Sequence, residues 1–214
     1  MQIYAISPER FSAAEIPVIE ALLAAGLTAY HLRKPEASEE ASANFLRQLP
    51  AATRSHIVLH QQHALVDAFS LGGVHFKDTV AALAPITPES GHAAAAATPT
   101  TSLAKKAITR SRSIHRIQQL STEAKGWDYC FLSPVFPSIS KAGYRPAWTR
   151  AELRAALERA REKKHSRICA LGGIDRENAL EAKALGFDAV VLCGVLWQSP
   201  DPVRVFEEIK EALQ

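Results

Sequence analysis

Cysteine is scarce in this chain, and no two of its three cysteines lie close together. Cys130, Cys169 and Cys193 each sit inside an apolar run. Their odd number and wide spacing argue against a disulfide framework and against a cysteine-built zinc site. Buried, reduced thiols in a cytoplasmic protein are the expectation. Long hydrophobic runs are also missing: none approaches the ~20 residues that a membrane-spanning helix needs, so no membrane partner is expected. Charge of one sign is lacking too. Lys and Arg total 25 against 22 Asp and Glu, a net of +3. That balance, with no RNA-binding motif, gives no reason to expect a nucleic-acid partner. The first residues, Met1-Gln2-Ile3-Tyr4-Ala5-Ile6, carry no basic lead and no cleavage pattern. They read as a first strand rather than a signal peptide.

What is present is the composition of a folded domain: 214 residues, 47% hydrophobic and 22% charged. A chain of this length buries roughly 70% of its extended surface without a metal or disulfide staple. Short apolar runs alternate with amphipathic stretches. The runs fall at 3–6, 28–32, 56–60, 73–76, 107–111, 128–136, 167–171 and 188–193. Helices are expected at 13–25, from Ser38 to near Pro50, at 62–71, at 115–125, at 150–163 capped by Thr149, from a cap at Asp175 to Leu185, and at 202–213. Repeated βα units imply a parallel sheet covered by helices, and eight strand-like runs favour a closed (β/α)8 barrel forming a single domain over 1–214. An Ala/Thr-rich insert at about 83–107 interrupts the pattern.

In such a barrel the active site forms at the C-terminal ends of the strands. Those positions hold His31, Arg33 and Lys34; His60 and Gln61; His75 and Lys77; Ser113 and His115; Ser138, Ser140 and Lys141; Gly172 and Gly173; and Cys193 and Gly194. The glycines after the last two strands let backbone N–H groups approach a ligand closely, which suits a phosphate. The bland reading is that they only turn the chain. His31, His60 and His75 end three successive strands and could together bind zinc; buried, hydrogen-bonded histidine is the plainer expectation. His63 reads as an exposed helix histidine. Lys105, Lys106, Arg110, Arg112 and Arg116 form a basic stretch, either a solvated face or a means of steering anions through Arg112 or Arg116. Trp127 and Trp148 read as packing or as lining beneath the loop after the sixth run.

With these residues in place the chain resembles the thiamine phosphate synthase family, including its thiazole tautomerase branch. The segments that carry the resemblance are Tyr30-His31-Leu32-Arg33-Lys34, Gly73-Val74-His75-Phe76 and Ser111-Arg112-Ser113-Ile114-His115. To these add Asp128-Tyr129 with Ser133 through Lys141, Ala170-Leu171-Gly172-Gly173-Ile174, and 186–196. The resemblance implies a (β/α)8 barrel joining a hydroxymethylpyrimidine diphosphate to a thiazole phosphate, with magnesium on the diphosphate. It implies that Arg33, Ser113 and Lys141 are catalytic and face the diphosphate. Ser138, Ser140, Gly173, Cys193 and Gly194 would face the thiazole phosphate. His31, Lys34, His60, His75, His115 and Gly172 complete the substrate-binding set. The partners it implies are small phosphorylated heterocycles, with self-association into a homo-oligomer left open.

This chain departs from the family pattern at several points. Pro35 stands where the family has a lysine, with Lys34 one position early. His60-Gln61 replaces Asn-Asp, removing a magnesium ligand. Asp78 is the carboxylate nearest the second magnesium position. His31 replaces glutamine, and Pro134 stands where the tautomerase branch has its histidine. A non-catalytic phosphate binder and a thiazole isomerase using His31 or His115 are the alternatives.

Overall fold

The structure, a computed structural model, describes residues 1–78, 108–137, 146–162 and 166–214. The insert at 83–107 lies outside the described residues, as do Ser138, Ser140 and Lys141. Eight strands run in chain order: β1 Gln2–Ile6, β2 Ala29–Leu32, β3 Ile57–Leu59, β4 Gly73–Phe76, β5 Thr109–Ile114, β6 Tyr129–Leu132, β7 Arg167–Leu171 and β8 Ala189–Leu192. Each pairs in parallel with the next, and β8 returns to β1, closing the expected (β/α)8 barrel. The helices outside it are α1 Glu15–Ala24, α2 Glu39–Gln48, α3 Ala51–Arg54, α4 Leu65–Phe69, α5 Leu120–Glu123, α6 Arg150–Glu162, α7 Ala179–Leu185, α8 Gly194–Trp197 and α9 Pro202–Ala212. No helix among the described residues is long and apolar enough to cross a membrane.

Local chemistry explains most boundaries. The Ser38 side chain accepts the Ala41 N–H and starts α2. Thr149 and Glu152 exchange hydrogen bonds in a capping box before α6. Several boundaries differ from expectation: β5 continues to Ile114 rather than stopping at 111, β6 ends at Leu132 rather than at 136, and two helices start late or break up. The Asp175 carboxylate accepts the N–H groups of Glu177 and Asn178, closing a turn, and α7 begins only at Ala179. The segment from His115 yields a short 3-10 turn, Ile117–Gln119, and then α5. His63 is half-buried before α4, its ring 4.8 Å from that of Phe76, rather than exposed on a helix.

Side chains alternate along each strand, so parity sorts them between two cores. Outward residues such as Ile3, Ala5, Leu32, Ile57, Leu59 and Ile114 pack against the helices. Inward residues fill the barrel, among them Tyr4, Ile6, Tyr129, Phe131, Cys169, Ala189 and Val191. All three cysteines are free thiols; Cys130 and Cys169 are buried and Cys193 half-buried.

Parity also settles Lys34. Tyr30 faces the helix layer, and Lys34 lies four residues on, in the same phase. Its Nζ donates to Glu15 at 2.7 Å and to the carbonyls of Pro8 and Arg10 at 2.8 and 2.9 Å. Three acceptors match the three protons of an ammonium. Glu15 in turn accepts from the Tyr30 hydroxyl at 2.8 Å. Both charged side chains are almost sealed from water, at 2% and 0% exposed. Lys34 therefore pins α1 to β2 and does not reach the mouth as a substrate ligand. Burial pushes the Glu15 carboxyl up and the Lys34 ammonium down. Removing one partner strands the other. Lys34→Met should cost about 3–5 kcal/mol of stability in urea denaturation, and Glu15→Gln added to it should recover much of that loss.

Candidate functional site

The inward positions of β2 to β6 carry polar groups where a barrel interior is usually aliphatic. His31 and His75 are fully buried, and His60 is half-buried toward the C-terminal mouth. His31 Nδ1 lies 3.0 Å from His60 Nε2, and His31 Nε2 lies 2.9 Å from the Tyr129 hydroxyl. The His60 and His75 rings stack at 4.1 Å with 22° between planes. His75 meets Ser111 Oγ through Nδ1 and Ser113 Oγ through Nε2, both at 2.9 Å. The Ser111 hydroxyl donates to the Val74 carbonyl, 3.3 Å away. Ser111 therefore accepts from His75, which puts the His75 proton on Nδ1 and leaves a lone pair on Nε2 for the Ser113 O–H.

Burial holds all three imidazoles well below the ordinary histidine pKa, so they are neutral at neutral pH. The positive charges of Arg33 and Lys77 add to this effect at His60. Those two side chains mark the mouth as cationic. Arg33 is in phase with His31, one-third exposed, and paired with Glu9 at 3.0 Å. Its backbone N–H donates to Ser7 Oγ at 2.9 Å, which fixes the end of β2 beside β1. Lys77 is exposed, two residues beyond His75.

Several predicted residues do converge at the mouth: Arg33, His60, Ser113, exposed His115, Gly172, Gly173, Cys193 and Gly194. His115 Nδ1 donates to the Ser133 carbonyl at 3.0 Å. His31 and His75 sit one layer below, buried beneath His60. α8 opens directly after Cys193, and its Trp197 indole donates to the Ile6 carbonyl at 2.7 Å, tying the end of β8 to β1. The glycine pair has a packing reason of its own. Gly172 and Gly173 have φ of +96° and +67°. The chain after β6 lies against them, with Val135 and Phe136 donating N–H bonds to the carbonyls of Leu171 and Gly172. A Cβ on Gly172 would sit 2.9 Å from Pro134 Cα. A side chain there would disturb the loop whether or not a ligand binds.

Two expectations are corrected by parity. Arg112 points outward, where it pairs with Asp78 at 3.3 Å and Glu123 at 2.8 Å and lies over the Trp127 ring. It packs against the helix layer and does not steer anions into the mouth. Asp78 goes with it, so its carboxylate is turned away from the position of a metal ligand at the mouth. Magnesium wants a near-octahedral set of oxygens. At the mouth, Glu9 is paired with Arg33, and β3 ends in His60 and Gln61. The described residues do not fit that ion. Among them, the group of three or more His, Cys, Asp or Glu side chains placed to hold a metal is His31, His60 and His75, with one ring nitrogen from each within 4.8 Å of the others.

Tyr129 and Ser111 also belong to this site, although neither stands at a strand end; the signal for Ser111 is parity, since it lies two before Ser113.

This architecture is that of the (β/α)8 barrels whose sites open at the strand C-termini. The family model for thiamine monophosphate synthase matches residues 3–196. The chain belongs to that family. It is 28% identical to the thiamine-phosphate synthase of Methylobacillus flagellatus over 93% of this chain and 88% of that one. It is 39% identical to that of Thioalkalivibrio sulfidiphilus over 83 residues, a match spanning 39% of this chain but only 37% of the relative. The crystal structure of thiamine phosphate pyrophosphorylase from Bacteroides thetaiotaomicron superposes with a TM-score of 0.75 at 27% identity, covering 100% of this chain and 98% of that one.

The depressed histidine pKa values predict acid sensitivity. Unfolded histidine takes up a proton near pH 6.5, whereas the buried rings stay neutral to lower pH. Stability should be fully present above that pH and fall below it, at roughly 1.4 kcal/mol per pH unit for each buried imidazole. Urea denaturation of metal-free protein between pH 7.5 and 5.5 measures the slope, and His75→Asn should flatten it by one histidine's share.

Proposed function

We propose that this chain joins a hydroxymethylpyrimidine diphosphate to a thiazole phosphate, releasing pyrophosphate and forming thiamine phosphate. The observation that carries this reading is the family match along residues 3–196, which spans all eight strands of the barrel. The bond from the pyrimidine methylene to the diphosphate oxygen breaks, and the leaving group keeps the electron pair. The thiazole nitrogen supplies the pair for the new C–N bond. Negative charge grows on the diphosphate as the bond breaks. Donors and cations already fixed at that place stabilise the transition state.

Arg33 and Lys77 give the mouth a positive potential suited to this charge. Ser113 lies on the same side, and turning its O–H from His75 Nε2 toward the diphosphate supplies a donor there. The backbone at Gly173 and Gly194, after β7 and β8, suits the thiazole phosphate. The substrates in this reading are small phosphorylated heterocycles. Burial of Cys169 and Val191 beneath the mouth keeps bound substrate at the strand ends rather than inside the barrel.

Purified protein incubated with both substrates, with and without magnesium, should form thiamine phosphate above a no-enzyme control. Arg33→Ala should lower kcat/KM roughly 100-fold, as expected for loss of a group that meets transition-state charge. No product in either arm, from protein with an unchanged circular dichroism spectrum, would overturn the coupling reaction.

A further inference from the structure

We propose that His31, His60 and His75 form a binding site for one borderline transition-metal dication, such as zinc or cobalt, with a fourth coordination position open to the mouth. Three features of the cluster support this. The first is ligand placement. One ring nitrogen from each histidine lies within 4.8 Å of the other two. His31 Nδ1 and His60 Nε2 are already 3.0 Å apart, close to the roughly 3.3 Å between two nitrogens that share a tetrahedral zinc at 2.0–2.1 Å. The His75 and His60 rings stack at 4.1 Å with 22° between planes, so the half-buried His60 ring must turn for its lone pair and that of His75 Nε2 to meet at one ion.

The second feature is the outer layer. A metal-bound histidine usually gives its other N–H to a fixed acceptor. Ser111 accepts from His75 Nδ1, which leaves Nε2 for the metal. Tyr129 is placed to accept from His31 Nε2 at 2.9 Å. Only one proton needs to move. In the metal-free chain a single proton lies between His31 Nδ1 and His60 Nε2. With a metal bound, His31 keeps its proton on Nε2, and the shared proton, carried by His60 Nε2, moves to Nδ1 of the half-buried His60. Ser113 gives up its bond to His75 Nε2.

The third feature is chemistry. Three neutral imidazoles suit zinc, cobalt, nickel or copper and suit magnesium poorly. Arg33 and Lys77 nearby disfavour an uncompensated dication, so the fourth position takes an anion. The site does not depend on the coupling reaction, and its test reads no turnover.

Tag-free, chelator-treated full-length protein is titrated with cobalt in chloride buffer while visible absorption is followed. The expected result is one equivalent bound per chain, with the intense bands of four-coordinate cobalt, and the same stoichiometry by elemental analysis after zinc loading and desalting. His60→Asn, at the half-buried position, should abolish those bands in protein that still folds. Tyr129→Phe should weaken binding roughly 10–100-fold. Absence of the bands from folded wild-type protein would overturn the proposal. So would bands that persist unchanged in both His60→Asn and His75→Asn.

Discussion

Parity along a parallel strand is the constraint on which the rest of this molecule depends. In a closed barrel every strand has one face in the interior and one under the helices, and a one-residue step exchanges them. Arg33 and Lys34 are neighbours in sequence and carry the same charge, yet they do unrelated work. Arg33 stands at the mouth beside Glu9; Lys34 is sealed against Glu15 beneath α1. On β5 the same step separates Ser111 and Ser113, which hold His75, from Arg112, which packs over Trp127.

The polar interior follows from the same rule and carries its own cost. An imidazole taken out of water must either lose its charge or find a partner. Here it does both. His31 and His75 are neutral, and each of their ring nitrogens meets another polar group. The hydroxyls of Ser111, Ser113 and Tyr129 are the compensating groups, so the cluster and its surround form one unit. Loss of one hydroxyl would leave a buried nitrogen unpaired, at a cost of about 1–3 kcal/mol.

The mouth above that unit is cationic but poor in free carboxylate. Glu9 and Asp78 are each held by an arginine, and β3 ends in histidine and glutamine. Among the described residues, oxygen ligands for a hard dication are therefore missing at the ends of β3 and β4, while nitrogen ligands accumulate one layer below. The glycines after β7 serve two ends at once. They admit the loop that follows β6, and they leave backbone exposed at the strand ends.

Much of the fold was legible in the chain itself. Eight apolar runs separated by amphipathic stretches can satisfy their backbone and bury their faces in few ways, and Ser38 and Thr149 marked helix starts by local chemistry that needs no distant partner. Residues at strand ends could be picked out for the same reason, since position along a strand is a one-dimensional property. Which way each side chain pointed was not legible, because run boundaries read from composition are uncertain by a residue and parity reverses with each one. Tertiary structure alone decided that Lys34 and Asp78 turn outward, that His31, His60 and His75 meet, and that Tyr129 reaches across from β6 to hold His31. Those contacts join residues up to 98 positions apart. They exist only once the barrel has closed and set the register between strands.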